Sequence, residues 1–263
     1  MKWVNGSLLW HPPGGLNMHR FYVEDKQIKN EEIVIAGQDV NHIKNVLRMK
    51  TGDEIVICNG QGKDFYSIIK QISSDEVINE IKSVKDTDTE LPVKIILFQG
   101  LPKKDKMELI IQKAVELGVY EIVPVLTKRS VVKLDEKKKE LKKLERWQNI
   151  SASAAKQSGR GIIPRVSKVM TYHEAVDFAG SLEYNVIPYE KAEDIDKTRD
   201  FVKGVKGKQS VGIFIGPEGG FEESEIEMAL EEDIRPITLG RRILRTETAG
   251  LAILSIIMFE IER

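Results

Sequence analysis

From residue 91 onward, short apolar runs alternate with amphipathic helical patterns, and this rhythm constrains the fold more than any other feature of the chain. Residues 93–98 (VKIILF) and 121–126 (EIVPVL) have the length and composition of buried strands. Between them, 105–117 brings Met107, Ile110, Ile111, Ala114 and Val115 onto one helical face. The alternation continues with a long basic helix over 135–157, strands over 184–188 and 211–215, a helix over 222–230, a strand over 236–239 and a closing helix over 246–261. Strands this short and apolar, separated by helices, predict a mostly parallel sheet covered on both faces.

The rhythm upstream is different. Residues 19–24, 32–36, 54–58, 64–72 and 76–84 read as strands, with Asn59-Gly60-Gln61-Gly62 as a hairpin turn. One helical stretch, 38–47, presents Val40, Ile43, Val46 and Leu47 on a face. So many strands in so short a stretch predict a small closed or half-closed β-barrel, and the hydrophilic KDTDTE at 85–90 is the expected linker. The first seventeen residues, MKWVNGSLLWHPPGGLN, lack the shape of a secretory signal and are expected to be a non-native or disordered leader. The expectation is therefore an α/β protein with a leader at 1–17, a barrel at 18–88 and an α/β domain at 89–263.

Composition excludes several classes. With 41% hydrophobic and 31% charged residues in 263, the chain can bury a sizeable core. A net charge of −1 means that any nucleic-acid partner must be met by local basic patches. The lone Cys58 and four scattered histidines lack metal-ligand spacing, so no metal is expected, and a reducing, cytoplasmic setting fits. The apolar run 251–259 is too short for a bilayer, so no membrane partner is expected.

Two segments carry the chemistry. VGIFIGPEGGFEESE at 211–225 is a strand opening into a glycine loop and then an acidic helix start. It lacks the Lys-Ser/Thr ending of a phosphate loop and the G-x-G-x-x-G spacing of a dinucleotide site. Three glutamates at the helix start complement its dipole and disfavour a pyrophosphate, so a cationic or zwitterionic ligand is easier to accommodate. LGRRILRTETAG at 239–250 is a second strand-end loop, with Thr246 as the expected N-cap of the closing helix and Arg245 placed to meet an anion or a developing negative charge. In open α/β sheets, ligands bind beyond the carboxyl ends of strands, where both loops fall. Taken singly, the glycines also suit a tight turn, and Arg245 also suits a surface pair with Glu247.

Together these segments resemble the two cofactor-loop motifs of the SPOUT-class ribosomal small-subunit RNA (uracil-N3)-methyltransferases, the RsmE family. HRFYVE at 19–24, HIKNVLRMKTGDEI at 42–55, KDKMELIIQKAVELGV at 104–119, KRSVVK at 128–133 and AAKQSGRGIIP at 154–164 are similar to further blocks, in order, over essentially 18–263. The resemblance implies a PUA-like RNA-binding barrel, a deep trefoil knot binding S-adenosyl-L-methionine, and a homodimer with the final helix at the interface, where Leu251, Leu254, Ile257 and Met258 suit that contact and burial in their own subunit's core equally well. The implied reaction is methylation of uracil N3 in 16S rRNA of the small ribosomal subunit. It implies cofactor contacts from Gly216, Pro217, Glu218, Gly219, Gly220, Leu239, Gly240, Ile243 and Leu244, with Glu218 favoured as a bond to the domain's own backbone. Arg245 and Arg20 are the expected catalytic residues, the N3 proton goes to Glu247 or equally to water, and Arg20, Arg48, Lys103, Arg129, Gln157 and Arg160 are the expected RNA contacts. The chain departs from the family pattern at Lys103-Lys104, where Lys-Gly is usual, and at Arg241, where Pro is usual.

Overall fold

A computed structural model describes the backbone at residues 2–4, 7–10, 18–130 and 137–262, and side chains over 18–130 and 140–262. The remainder of the 1–17 leader and the VVK of KRSVVK lie outside the described residues. The chain forms two compact units, Met1–Glu90 with Ala155–Ile163 and Leu91–Ala154 with Pro164–Arg263.

The first unit contains β1 (Lys2–Val4), β2 (Ser7–Trp10), β3 (Met18–Tyr22), β4 (Ile28–Lys29), β5 (Glu32–Ala36), the short helix α1 (Gln38–Asn41) with a π-helical turn at His42–Val46, then β6 (Glu54–Cys58), β7 (Lys63–Ile72) and β8 (Glu76–Asp86). The strands form one mixed sheet in the order β1-β2-β3-β6-β7-β8-β5-β4. Only β3 and β6 pair in parallel; the β6–β7 hairpin turns at Gly60 and Gly62, both at positive φ that only glycine adopts freely.

One face of this sheet, with α1 and the π-helical turn, packs Phe21, Ile35, Ile43, Ile55, Ile57 and Ile69 into a core. The strap 155–163 crosses the other face, with Gly62 N–H donating to Gly161 O at 2.9 Å and Ile163 N–H to Gly60 O at 3.0 Å. This explains why β6 reads EIVIC rather than alternating: Ile55, Val56, Ile57 and Cys58 are all buried, because both faces are covered. A Cβ on Gly161 would lie 2.2–2.3 Å from the Thr87 side chain, so the strap seats only with glycine there.

The second unit runs β9 (Lys94–Gly100), α2 (Lys106–Glu116), β10 (Glu121–Leu126), α3 (Lys137–Ser158, whose last residues pass into the strap), β11 (Arg165–Val166), β12 (Met170–Thr171), α4 (Tyr172–Ala179), β13 (Tyr184–Pro188), α5 (Ile195–Gly204), β14 (Ser210–Ile215), α6 (Glu223–Glu231), β15 (Arg235–Ile237) and α7 (Thr246–Ile261). The sheet order is β11-β10-β9-β14-β13-β15, with β12 beside β10, and every pair is parallel. Ile96, Phe98 and Phe214 face α4 and α6 on one side, where the Phe98 and Phe214 rings stack at 4.3 Å. α2 and α5 each pack against α7. Gly250 of α7 sits against Ile215 and Gln99, residues of opposite strand parity to Phe214 and Phe98. α7 therefore covers the other face. Of the four α7 residues considered for an interface, Leu254 and Ile257 are buried in this unit, Leu251 and Met258 half-buried, whereas Ile256 and Phe259 are exposed.

Candidate cofactor and active site

β9 leads through α2 to β10 on one side, while its neighbour β14 leads through α6 to β15 on the other, stepping past β13. Loops leaving two adjacent strands in opposite directions open a crevice at their carboxyl ends. The 216–220 loop lies there. Gly100 ends β9 so close to it that a Cβ would meet the Pro217 ring at 2.7 Å and Ile215 O at 3.0 Å. Gly220 takes φ +70° and its N–H donates to Pro217 O at 2.9 Å, closing a turn; a Cβ on Gly216 would stand 3.2 Å from Gly220 Cα.

Charged side chains pin this loop on two sides. The Lys103 N–H donates to both Glu218 oxygens at 3.2 Å, and Lys106 Nζ lies 3.0 Å from Glu218 Oε1 and 3.2 Å from Glu247 Oε2. Arg129 donates to Gly219 O at 2.7 Å and to Glu222 at 2.8 Å. Glu222 in turn caps α6 in a reciprocal pair with Glu225, as its position at the helix start implies. Lys191 reaches Glu223 at 2.6 Å. The hydrogen bond from Arg129 holds the Glu222 carboxyl below its ordinary range, and that from Lys191 does the same for Glu223. Burial pushes Glu218 up, but backbone hydrogen bonds and Lys106 outweigh it, and its carboxyl too is held low.

The second loop carries Gly240 at φ +108°, a conformation reserved in practice for glycine. Leu239 and Leu244 are half-buried, and Arg241, Arg242, Ile243 and Arg245 are exposed. Thr246 is not the cap of α7: Arg245 occupies that position, and Thr246 is the first helical residue. Its hydroxyl donates to Gly216 O at 2.6 Å and accepts from Gln99 Nε2 at 2.9 Å. The hydroxyl thus ties the start of α7 to the glycine loop and to the end of β9. Apolar periodicity gives no hint of these roles for Gln99, Lys106 and Thr246; the signals are Gln99 as a polar residue closing an apolar strand and the family-like blocks that hold Lys106 and Thr246.

These residues fit S-adenosylmethionine. Two loops offer glycine backbone to a ligand, the nearest glutamates are neutralised by Lys106 and Arg129, and the Glu190 carboxylate lies 3.3 Å from where a Cβ on Gly220 would be, a suitable neighbour for a positively charged ligand group.

The expected RNA and catalytic residues are distributed unevenly. Lys103 is exposed beside the glycine loop, and Arg245 is exposed with no ion-pair partner among the described residues. Arg129 is bonded to the loop and stays partly exposed. In the first unit, Arg48, at positive φ, and Gln157 are exposed. Arg20 and Arg160 are not surface cations. The Arg20 side chain is 2% exposed, paired with Asp64 at 2.6 Å and donating to Gly159 O at 2.9 Å; Arg160 is buried against Glu90, whose Oε1 also accepts the Gly161 N–H. Both arginines are thus buried and paired, and each is bonded to or part of the strap.

Comparison with known proteins defines the class. Residues 89–258 match the RNA methyltransferase domain family, and 35–82 match the RNA methyltransferase PUA domain family; the chain is an RNA methyltransferase with a PUA domain ahead of its catalytic domain. It is 39% identical over 251 residues to ribosomal RNA small subunit methyltransferase E of Bacillus subtilis, covering 93% of this chain and 98% of that one. Among solved structures it resembles a ribosomal RNA small subunit methyltransferase E from Neisseria gonorrhoeae bound to S-adenosyl methionine, at 34% identity and TM-score 0.75 over 90% of this chain and 95% of that one. A putative methyltransferase from Legionella pneumophila with bound S-adenosyl methionine is 32% identical, with TM-score 0.75 over 92% and 97%. The chain belongs to the ribosomal RNA small subunit methyltransferase E family.

Proposed function

We propose that this protein transfers the methyl group of S-adenosylmethionine to N3 of a uracil in 16S rRNA of the small ribosomal subunit, acting in the cytoplasm as a homodimer. The observation that carries the reading is the 216–220 glycine loop at the strand-order reversal, joined through Gly216 and Thr246 to the second glycine-broken loop, which ends at the exposed Arg245. The motif resemblance supplies the uracil N3 position, the deep knot in the second unit and the closing of the first unit's sheet into a PUA-like barrel. Exposed Ile256 and Phe259 on α7 support a subunit contact there.

In this reading Gly216, Pro217, Gly219 and Gly220, with Leu239, Gly240, Ile243 and Leu244, hold the cofactor by backbone and apolar contacts, and Glu218 shapes the loop. When bound, S-adenosylmethionine supplies a methyl group already activated on a sulfonium. The protein's task is then to place the base in line and to stabilise the negative charge that spreads onto the base carbonyls as the N3 proton leaves. Arg245 is suited to that charge. Arg48, Lys103 and Gln157 are the exposed residues proposed to meet RNA, while Arg20, Arg129 and Arg160 act by positioning. Neither a metal nor a membrane enters the reading; no helix among the described residues is long and apolar enough to cross a bilayer.

The test is methyl transfer from tritium-labelled S-adenosylmethionine to small subunits that lack the modification, followed by nucleoside analysis. Label in N3-methyluridine is the expected result. Cofactor binding with label in another nucleoside would move the target while leaving the loops' assignment in place.

A further inference from the structure

Lys106 opens α2 with its ammonium between two carboxylates from different parts of the chain: Glu218 of the glycine loop at 3.0 Å and Glu247 of the first turn of α7 at 3.2 Å. Those distances put the two carboxylate oxygens no more than about 6 Å apart, close enough to repel without a cation between them. Glu218 is fixed further by the Lys103 N–H, and Glu247 lies two residues beyond Arg245. One ammonium therefore joins the loop proposed to hold the cofactor to the helix start that carries the proposed catalytic arginine.

We propose that Lys106 is a positioning residue for methyl transfer: by bridging Glu218 and Glu247 it sets the register between the glycine loop and Arg245. The proposal rests on the cofactor reading above and gives Lys106 a task within it. All three side chains are partly exposed, at 29%, 27% and 17%, so solvent screens the bridge and its removal shifts global stability little. Thr246 makes the second tie to the same loop through Gly216. Loss of Lys106 thus loosens the arrangement without detaching it.

The test compares Lys106→Gln and Lys106→Arg with the parent protein. Hydrogen exchange without added cofactor is the first readout, since it does not depend on what the loop binds. Lys106→Gln is expected to speed exchange together at the 218–222 amides and in the first turn of α7, with the sheet unchanged and the melting temperature nearly so. In the presence of S-adenosylmethionine, its dissociation constant should rise by about tenfold and kcat fall by a similar factor, as expected for losing two close charge pairs beside the site. Lys106→Arg should recover most of both. Unaltered exchange in either segment, unaltered kcat and affinity in Lys106→Gln, or an arginine variant as poor as the glutamine one would each overturn the proposal. Failure of the parent protein itself to bind S-adenosylmethionine would instead sink the cofactor reading, and the exchange data would still decide whether Lys106 couples the two segments.

Discussion

Arg20 and Arg245 both stand out in the sequence as arginines within family-like blocks, yet the structure gives them opposite environments. Arg245 is exposed and unpaired among the described residues, at the cap of α7. Its replacement by alanine should leave the dissociation constant of S-adenosylmethionine within about twofold of the parent value. The same change should reduce kcat by roughly 100-fold or more, the usual loss when a group facing transition-state charge is removed. Arg20 is buried against Asp64, whose carboxyl is pushed above its ordinary range by burial, with Arg20 pulling the other way. Arg20→Ala strands that carboxylate in a site it cannot leave. The expected loss is about 3–5 kcal/mol of stability by denaturant titration, with part of it returned by adding Asp64→Ala. A variant that loses turnover but keeps its stability would show that Arg20 acts on the substrate after all. Burial is the quantity that separates the two arginines, and a single sequence does not contain it.

At the scale of elements, the strands β9, β10, β13 and β14 and the helices α2 and α7 were legible because each joins an apolar run or face to a clear terminus. α4 and α5 were not, although both carry start signals: Thr171 with Glu174 forms a capping box, and Asp194 caps α5. They are short, and α5 buries little beyond Thr198, Phe201 and Val202, so periodicity over so few turns is weak. The glycine loop was legible in its residues but not in its clamps, because Lys103, Lys106 and Arg129 reach it from segments far off in sequence. Those clamps carry a pH signature. Glu218, Glu222 and Glu223 have carboxyls held below the ordinary range in the folded protein, so their contribution is complete above the unfolded value of about 4.3 and is lost as pH falls through the lower folded values. Cofactor affinity measured by calorimetry should therefore be flat from about pH 7 to pH 5 and weaken only below that range. A decline already under way near pH 6 would show that another group governs the loop. Gly219→Val tests the same element sterically, since even a Cβ there lies 3.2 Å from Arg129 Cβ. It should abolish cofactor binding while leaving the first unit's melting unchanged.

For the whole molecule, the break in sequence rhythm near residue 90 marks a change of architecture but not a complete list of what the first unit needs. Residues 155–163 lie within the α/β half of the sequence yet belong by contact to the first unit, where Cys58 and Tyr22 as well as Arg20 bond to their carbonyls. A fragment of residues 18–90 should therefore melt at lower temperature and less cooperatively than the same fragment joined by a flexible linker to 155–163, as followed by circular dichroism. Equal melting curves would mean that the strap only rests on the sheet. The strap also sets an order of events during synthesis. The face carrying Val56, Cys58 and Asp64 cannot be closed when residue 90 leaves the ribosome; it waits for about seventy more residues, several seconds at roughly 5–20 residues per second. For that interval the nascent first unit leaves that face uncovered and Glu90 without Arg160, so this protein should depend on ribosome-bound chaperones more than the size of its first unit would suggest.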